Sequence, residues 1–316
     1  MIINLIPEFL AVHASSGREA AYQSYLDRHR PVLASYWHNF VLDLDSPHAA
    51  EVVARALAAD RTDLRNLLAS MDVERLAADA LDRAGTVLEL DEDVDVYLTV
   101  GVGAANAAEL VVGGRGVVIV CVEHFTGQPN PETYGLGLSP QLMPLWIAHE
   151  VAHTVRYTSS TSRSELRRLV AEAGGTYDYW DTGSRATLRE LLLNEGVAVH
   201  AARAAAPDFG DEEYFGFTRR QYRRMRELES FLFRAAEPDL DRTGLGLRLR
   251  YLSGGMSPAA RLVQGRVLPE RSGYYIGARM TEALVAERGV ASAARSSAAE
   301  FSAAAGRQAA DRAVGA

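Results

Sequence analysis

Residues 146–157, "WIAHEVAHTVRY", set two histidines four positions apart around a glutamate, in a run that is otherwise largely apolar. The stretch before it, "SPQLMPL" (139–145), offers Ser139 as a helix N-cap and Pro140 as the first helical residue, while Pro144 draws the expected start closer to itself. On a helix, residues four apart lie on one face. His149 and His153 therefore aim two imidazoles at one point, and the apolar residues around them, "LWIA" before and "TV" after, bury that face. Buried polar rings need partners, so this helix implies a third party between the histidines.

A zinc ion fits that demand, with zinc–nitrogen bonds of ~2.0–2.1 Å. Glu150 sits one position round the helix, where it reaches a water without ligating, the arrangement of the base in H-E-x-x-H hydrolases. A catalytic zinc also needs a third protein ligand and an open position. Glu195 in "LLLNEGVAVHAARA" (191–204) is the best candidate, because a carboxylate among apolar residues is costly unless paired or metal-bound. The plain alternative is an ion pair with Arg189 or Arg203. His200 competes as a ligand, but five residues separate it from Glu195, about 140° round an ideal helix, so the two do not share one ion. Asp178 and Asp181 in "GGTYDYWDTG" (174–183) read as turn residues and are weaker rivals.

Outward from this centre, residues 1–85 read as helices. "EVVARALAADRTDLRNLLASMDVERLAADALDRAG" (51–85) repeats apolar residues every three or four positions, and Gly85 closes the last turn. The period then changes. "DVDVYLTVGVG" (93–103) alternates, and "ELVVGGRGVVIVCVE" (109–123) reads as two strands around a Gly-Gly-Arg-Gly turn, before loop chemistry over 126–138. Residues 86–160 thus hold a small sheet and the two-histidine helix. Residues 161–316 form a helical half, with helices expected near 184–206, 211–236 and 271–288 and in the alanine-rich tail, and a cleft between these last two parts. The fold class is α+β.

Composition narrows the function. The net charge of −8 excludes a nucleic-acid backbone as the default partner, and all 33 basic residues are arginine, a coding bias more than a signal. The arginines of "TRRQYRRMRE" (218–227) read as a solvated helix face. The single cysteine, Cys121, lies in an apolar strand and reads as a buried hydrophobe. "VGVGAANAAE" (100–109) lacks the third glycine of a dinucleotide loop and the room for a crossover helix. No signal peptide is legible at the N-terminus and no apolar stretch nears the ~18 residues of a membrane span, so the expectation is a cytoplasmic bacterial protein with no membrane partner. Oligomeric state is not readable.

"HEVAH" (149–153) followed by "NEGVAVH" (194–200) resembles the gluzincin zinc metallopeptidases, and "NEG-x-A" is similar to the form found in their aminopeptidase-type members. The gap of roughly forty residues between His153 and Glu195 is about twice theirs. The chain more closely resembles a bacterial family of predicted zinc-dependent proteases, in "HEVAHTVR" (149–156), "LLLNEGVAVH" (191–200) and "PERSGYYIGARM" (269–280), where Gly273, Tyr274 and Gly277 match a G-Y-x-x-G helix. The likeness runs from about residue 90 to residue 285. It implies a zincin-like fold, mostly helical, with the active helix packed on a small twisted sheet whose edge strand holds an extended peptide. One departure is Val199, which stands where thermolysin-like relatives carry an aspartate that orients a histidine.

The expected reaction is peptide-bond hydrolysis through a zinc-activated water, with Glu150 as general base. The resemblance places Tyr274 near the site as a phenol donor to the oxyanion, with Tyr275 as its alternate and simple packing between close helices as the plain reading. Arg156, three residues after His153, grips a substrate carboxylate or, more in keeping with its position, steadies the neighbourhood of Glu195. Glu123 and His124 border the cleft or form a solvated strand end. Two rivals stand beside the peptidase: a zincin-fold metal-binding or regulatory protein with little catalysis, and a helical scaffold without metal.

Overall fold

A computed structural model describes the backbone of residues 1–314 and the side chains of residues 1–307. The chain opens with a strand, β1 (Ile2–Asn4), so the first 85 residues are not wholly helical. Three residues are too few to show alternation. Their strand character comes from β2 (Val94–Thr99), which pairs in parallel with them at Ile2↔Val96 and Asn4↔Leu98. Between these strands run α1 (Ile6–Ala14), α2 (Arg18–Arg28), α3 (Arg30–Phe40), α4 (Ala49–Ala58), α5 (Thr62–Ser70) and α6 (Val73–Leu88). Asp72 caps α6 by accepting from the Arg75 amide. The helix passes through Gly85 and stops at Glu89, whose φ of 50° is left-handed, so Glu89 and not Gly85 makes the C-terminal turn.

Two further strands, β3 (Ala107–Val112) and β4 (Arg115–Cys121), complete a mixed sheet of order β1-β2-β4-β3. β2 and β4 are parallel; β3 returns antiparallel across Gly113 and Gly114, both at positive φ, as a two-residue hairpin needs. α7 (Met143–Thr158) packs along one face, with Gly116 of β4 against Thr154. On the other face the Cys121 thiol meets the Tyr36 hydroxyl of α3 at 3.4 Å. Both faces are covered, so β4 is buried from Gly116 to Cys121. The outer edge of β3 is partly closed, since the Tyr177 amide donates to Val111 O at 3.1 Å.

A 3-10 turn at Pro140–Leu142 leads into α7, and Pro144 falls in its first turn, where a missing N–H is harmless. The rest is helical apart from two short hairpins, β5–β6 (Pro129–Asn130, Gly135–Leu136) and β7–β8 (Leu262–Val263, Arg266–Val267). Its helices are α8 (Glu165–Glu172), α9 (Asp181–Arg185), α10 (Leu188–Ala205), α11 (Arg219–Ala236), α12 (Leu245–Leu252), α13 (Ser272–Ala294) and α14 (Ala298–Val314). Polar and arginine-rich surroundings hide the short α8 and α12 from the sequence reading, although Leu166, Leu169 and Val170 repeat at three and four positions and form the buried face of α8. α13 breaks at Gly289. Among the described residues, no helix is long and apolar enough to cross a membrane.

Two contacts fix how α7, α10 and α13 meet. Arg156 of α7 and Glu190 of α10 form a fully buried ion pair, and Arg156 also donates to the carbonyls of Ala294 and Ser296, each at 3.3 Å. α10 and α13 cross with Gly196 against Gly277: a Cβ on Gly196 would lie 2.8 Å from the Ala278 amide nitrogen and closer still to the Gly277 carbonyl. Only paired glycines allow that approach.

Candidate metal centre

α7 and α10 lie side by side, and their facing side chains bring His149, His153 and Glu195 together. The Nε2 atoms of both histidines face the same carboxylate oxygen, Glu195 Oε2, at 3.3 Å for His149 and 3.6 Å for His153. One ligand-capable atom from each residue falls within 4.8 Å of the others. That spacing suits an ion held between two imidazole nitrogens and a carboxylate. The three are 1%, 2% and 9% exposed, so without an ion the charges must satisfy one another. Burial disfavours the His153 imidazolium, but the Glu195 charge, with those of Glu109 and Glu150, outweighs it and pushes His153 up to about 10. Burial likewise opposes the Glu195 carboxylate, yet the two histidines hold it well below the usual carboxylate range. His149, governed by burial, is shifted down.

Neither arginine expected beside Glu195 pairs with it. Arg189 pairs with Asp241 at 2.7 Å and Arg203 with Asp211 at 2.9 Å. His200 points the other way along α10 and donates to Ala278 O of α13 at 3.0 Å. Asp178 accepts the amides of Trp180 and Asp181 at 2.8 and 2.9 Å, as a turn residue does, and Asp181 pairs with Arg185.

The outer face of each imidazole is unusual. Both Nδ1 atoms are buried without a hydrogen-bond partner, where metal-binding histidines ordinarily donate to a carboxylate or carbonyl. Aromatic stacking holds the rings instead. Tyr274 stacks on His149 with centroids 6.0 Å apart, Trp146 lies 5.4 Å away, and Tyr157 stacks on His153 at 6.2 Å. Val199 is buried and supplies no acceptor, and among the described residues none accepts from either Nδ1 atom.

Glu150 stands beside this centre, and Glu109 of β3 joins it in a second group with His153, again within 4.8 Å. Burial first, and the Glu109 charge second, drive the Glu150 carboxyl well above its ordinary range. Glu109 accepts from the Tyr157 hydroxyl at 3.1 Å, and Asn194 donates to the same hydroxyl at 3.0 Å. One tyrosine thus links the sheet, α7 and the residue next to Glu195. Sequence reasoning does not single out Glu109, Tyr157, Asn194 or Glu190. The signal for them is faint: an acid inside an apolar strand, "AAELVV", and an Asn and a Glu inside an apolar helix.

Tyr274 lies against His149, whereas the Tyr275 hydroxyl bonds to Glu229 of α11. Of the two tyrosines, only Tyr274 adjoins the centre. Gly273 and Gly277 pack against Leu192 of α10 and let it come that close. Arg156 is sequestered with Glu190 and does not reach a substrate. Glu123 and His124 are not a solvated strand end: both are 1% exposed. The 126–138 loop folds back over their turn, with the Leu138 amide on His124 O at 2.8 Å, and Glu123 accepts the Gly101 amide at 3.0 Å.

No protein-family model matches the chain, and no curated protein or solved structure matches it either. The resemblance to zinc-dependent proteases therefore rests on the three sequence blocks alone.

Proposed function

We propose that this chain is a zinc-dependent metallopeptidase of zincin-like architecture, with His149, His153 and Glu195 as zinc ligands. The observation that carries this reading is the convergence of both Nε2 atoms on one Glu195 oxygen, from helices some forty residues apart in sequence, with a further carboxylate beside them. The helix of His149 and His153 packs on the antiparallel edge of a small sheet, which supports the zincin-like description.

Zinc held there would supply a Lewis acid that polarises a peptide carbonyl and activates a water. The protein's own groups do the rest. Glu150, whose carboxyl binds protons more readily than usual, takes the proton of the attacking water and delivers it to the leaving amine. Tyr274, kept a neutral phenol by burial and by the Glu195 charge, donates its hydroxyl hydrogen to the developing oxyanion. The substrate is a peptide or protein.

A second reading, a metal-binding or regulatory protein of the same fold with little catalysis, draws support from the depth of the centre: His149, Glu150 and His153 are 1%, 5% and 2% exposed. Elemental analysis of protein purified without added metal, followed by a peptide-library screen at neutral pH, separates the two. Near-stoichiometric zinc is expected, and its loss in the His149→Ala/His153→Ala double variant. Glu150→Gln should keep its zinc and lose hydrolysis by at least ~10²-fold. Full zinc in the double variant sinks the ligand assignment. Zinc-loaded wild type that cleaves no peptide favours the regulatory protein.

A further inference from the structure

Arg271 is the N-cap residue of α13 and holds a left-handed backbone, φ 55°, which a non-glycine residue keeps only where its surroundings demand it. Its guanidinium lies 4.4 Å from the centre of the Tyr274 ring, and Tyr274 stacks on His149 at 6.0 Å. Those two distances confine the guanidinium to within about 10 Å of the His149 ring. The turn at Gly216 presses in from the other side: a Cβ there would lie 3.1 Å from Arg271 Nη1 and 3.0 Å from the Trp146 ring. Arg271 is thus built into the aromatic wall of the centre and is only half-buried.

It also lacks a counter-charge. Among the described residues no carboxylate lies within 4.0 Å of it, and the adjacent Glu270 pairs instead with Arg261 at 3.3 Å. The first turn of the 23-residue α13 adds the positive end of a helix dipole beside it. The neighbouring Ser272 hydroxyl is fully buried without a hydrogen-bond partner.

We propose that Arg271 binds a carboxylate on the substrate, one residue beyond the cleaved bond. This rests on the metallopeptidase reading and deepens it. An extended peptide advances ~3.3–3.6 Å per residue. A carboxylate one residue past a carbonyl at the His149 side, plus a charge-assisted hydrogen bond of ~2.8 Å, reaches about 6 Å, inside the limit of about 10 Å set by the Tyr274 ring. The carboxylate is either the end of the chain, which makes the enzyme a carboxypeptidase, or an Asp or Glu side chain at that position.

The test is titration calorimetry with zinc-loaded Glu150→Gln protein and three peptides: acetyl-Gly-Phe-Ala as the free acid, the same peptide as its amide, and acetyl-Gly-Phe-Glu amide. A carboxylate-bearing peptide should bind about ten- to a hundredfold more tightly than the neutral amide. Tighter binding of the free acid alone assigns the chain end; tighter binding of the Glu amide assigns the side chain. Adding Arg271→Gln should bring all three to parity while zinc content and Tm stay unchanged, and Arg271→Lys should restore part of the preference. Equal affinities with Arg271 present, a preference that survives Arg271→Gln, or no binding of any peptide overturns the proposal. A protein that takes up no zinc fails earlier, at the metal reading, before any peptide is added.

Discussion

Gly196→Ala tests the claim that the α10–α13 crossing sets the candidate centre. The new methyl would stand 2.8 Å from the Ala278 amide nitrogen, with the Gly277 carbonyl nearer, inside the 3.0 Å that Cβ contacts essentially never breach. The obstacle is backbone on the opposite helix, so no rotamer change relieves it, and the helices must part. Overpacking of this kind costs about 1–3 kcal/mol, with backbone obstacles at the upper end. Replacing a helical glycine by alanine returns up to about 1 kcal/mol. The net expectation is a loss of about 2 kcal/mol, or roughly 3 °C in Tm for a chain of this size. Gly246→Ala in α12, where a methyl meets nothing within 4 Å, should be neutral or slightly stabilising. Thermal unfolding in chelator isolates the packing effect. Zinc titration then reads the functional one: Glu195 sits one residue before the crossing, so parting the helices should weaken zinc binding as well. A Gly196→Ala protein with wild-type Tm in chelator would refute the close-approach argument. One with lower Tm and wild-type zinc affinity would show that the crossing does not place Glu195.

Two further outcomes are expected. Glu195→Ala should weaken zinc affinity by more than about a hundredfold, beyond the 10–100-fold typical of outer-shell losses, while His200→Ala, which breaks only a bond to Ala278 O, should leave it unchanged; the opposite ranking moves the site to His200. In metal-free protein, the His153 imidazolium is raised from about 6.5 to about 10, so its contribution is fully present below the unfolded value and fades as pH rises through about 10. The Tm gap between wild type and His153→Gln in chelator should therefore shrink between pH 6 and pH 10.5, and a gap that widens with pH reverses the sign of this argument.

The sequence alone determined the parts whose signals are local. A four-residue histidine spacing around a glutamate specifies a helix with two imidazoles on one face, and two apolar, β-branched runs around the Gly-Gly-Arg-Gly turn of "ELVVGGRGVVIVC" specify a hairpin, because helical periods and turn residues are written into neighbouring residues. Glu195 was legible as an anomaly, an acid amid apolar residues, but its partner was not. Only the folded chain showed that Arg189 and Arg203 are engaged elsewhere and that Glu195 faces both histidines. The same holds for β1, a strand solely because β2 lies beside it, and for Glu123 and His124, buried by a loop that nothing in their own neighbourhood announces. Glu109 became part of the centre only once β3 was laid against α7. The physical reason is common to all of these. A residue's period and propensity act over a few positions, whereas the charge, burial and hydrogen-bond partners that give it a role come from segments tens of residues away, brought near only by tertiary packing.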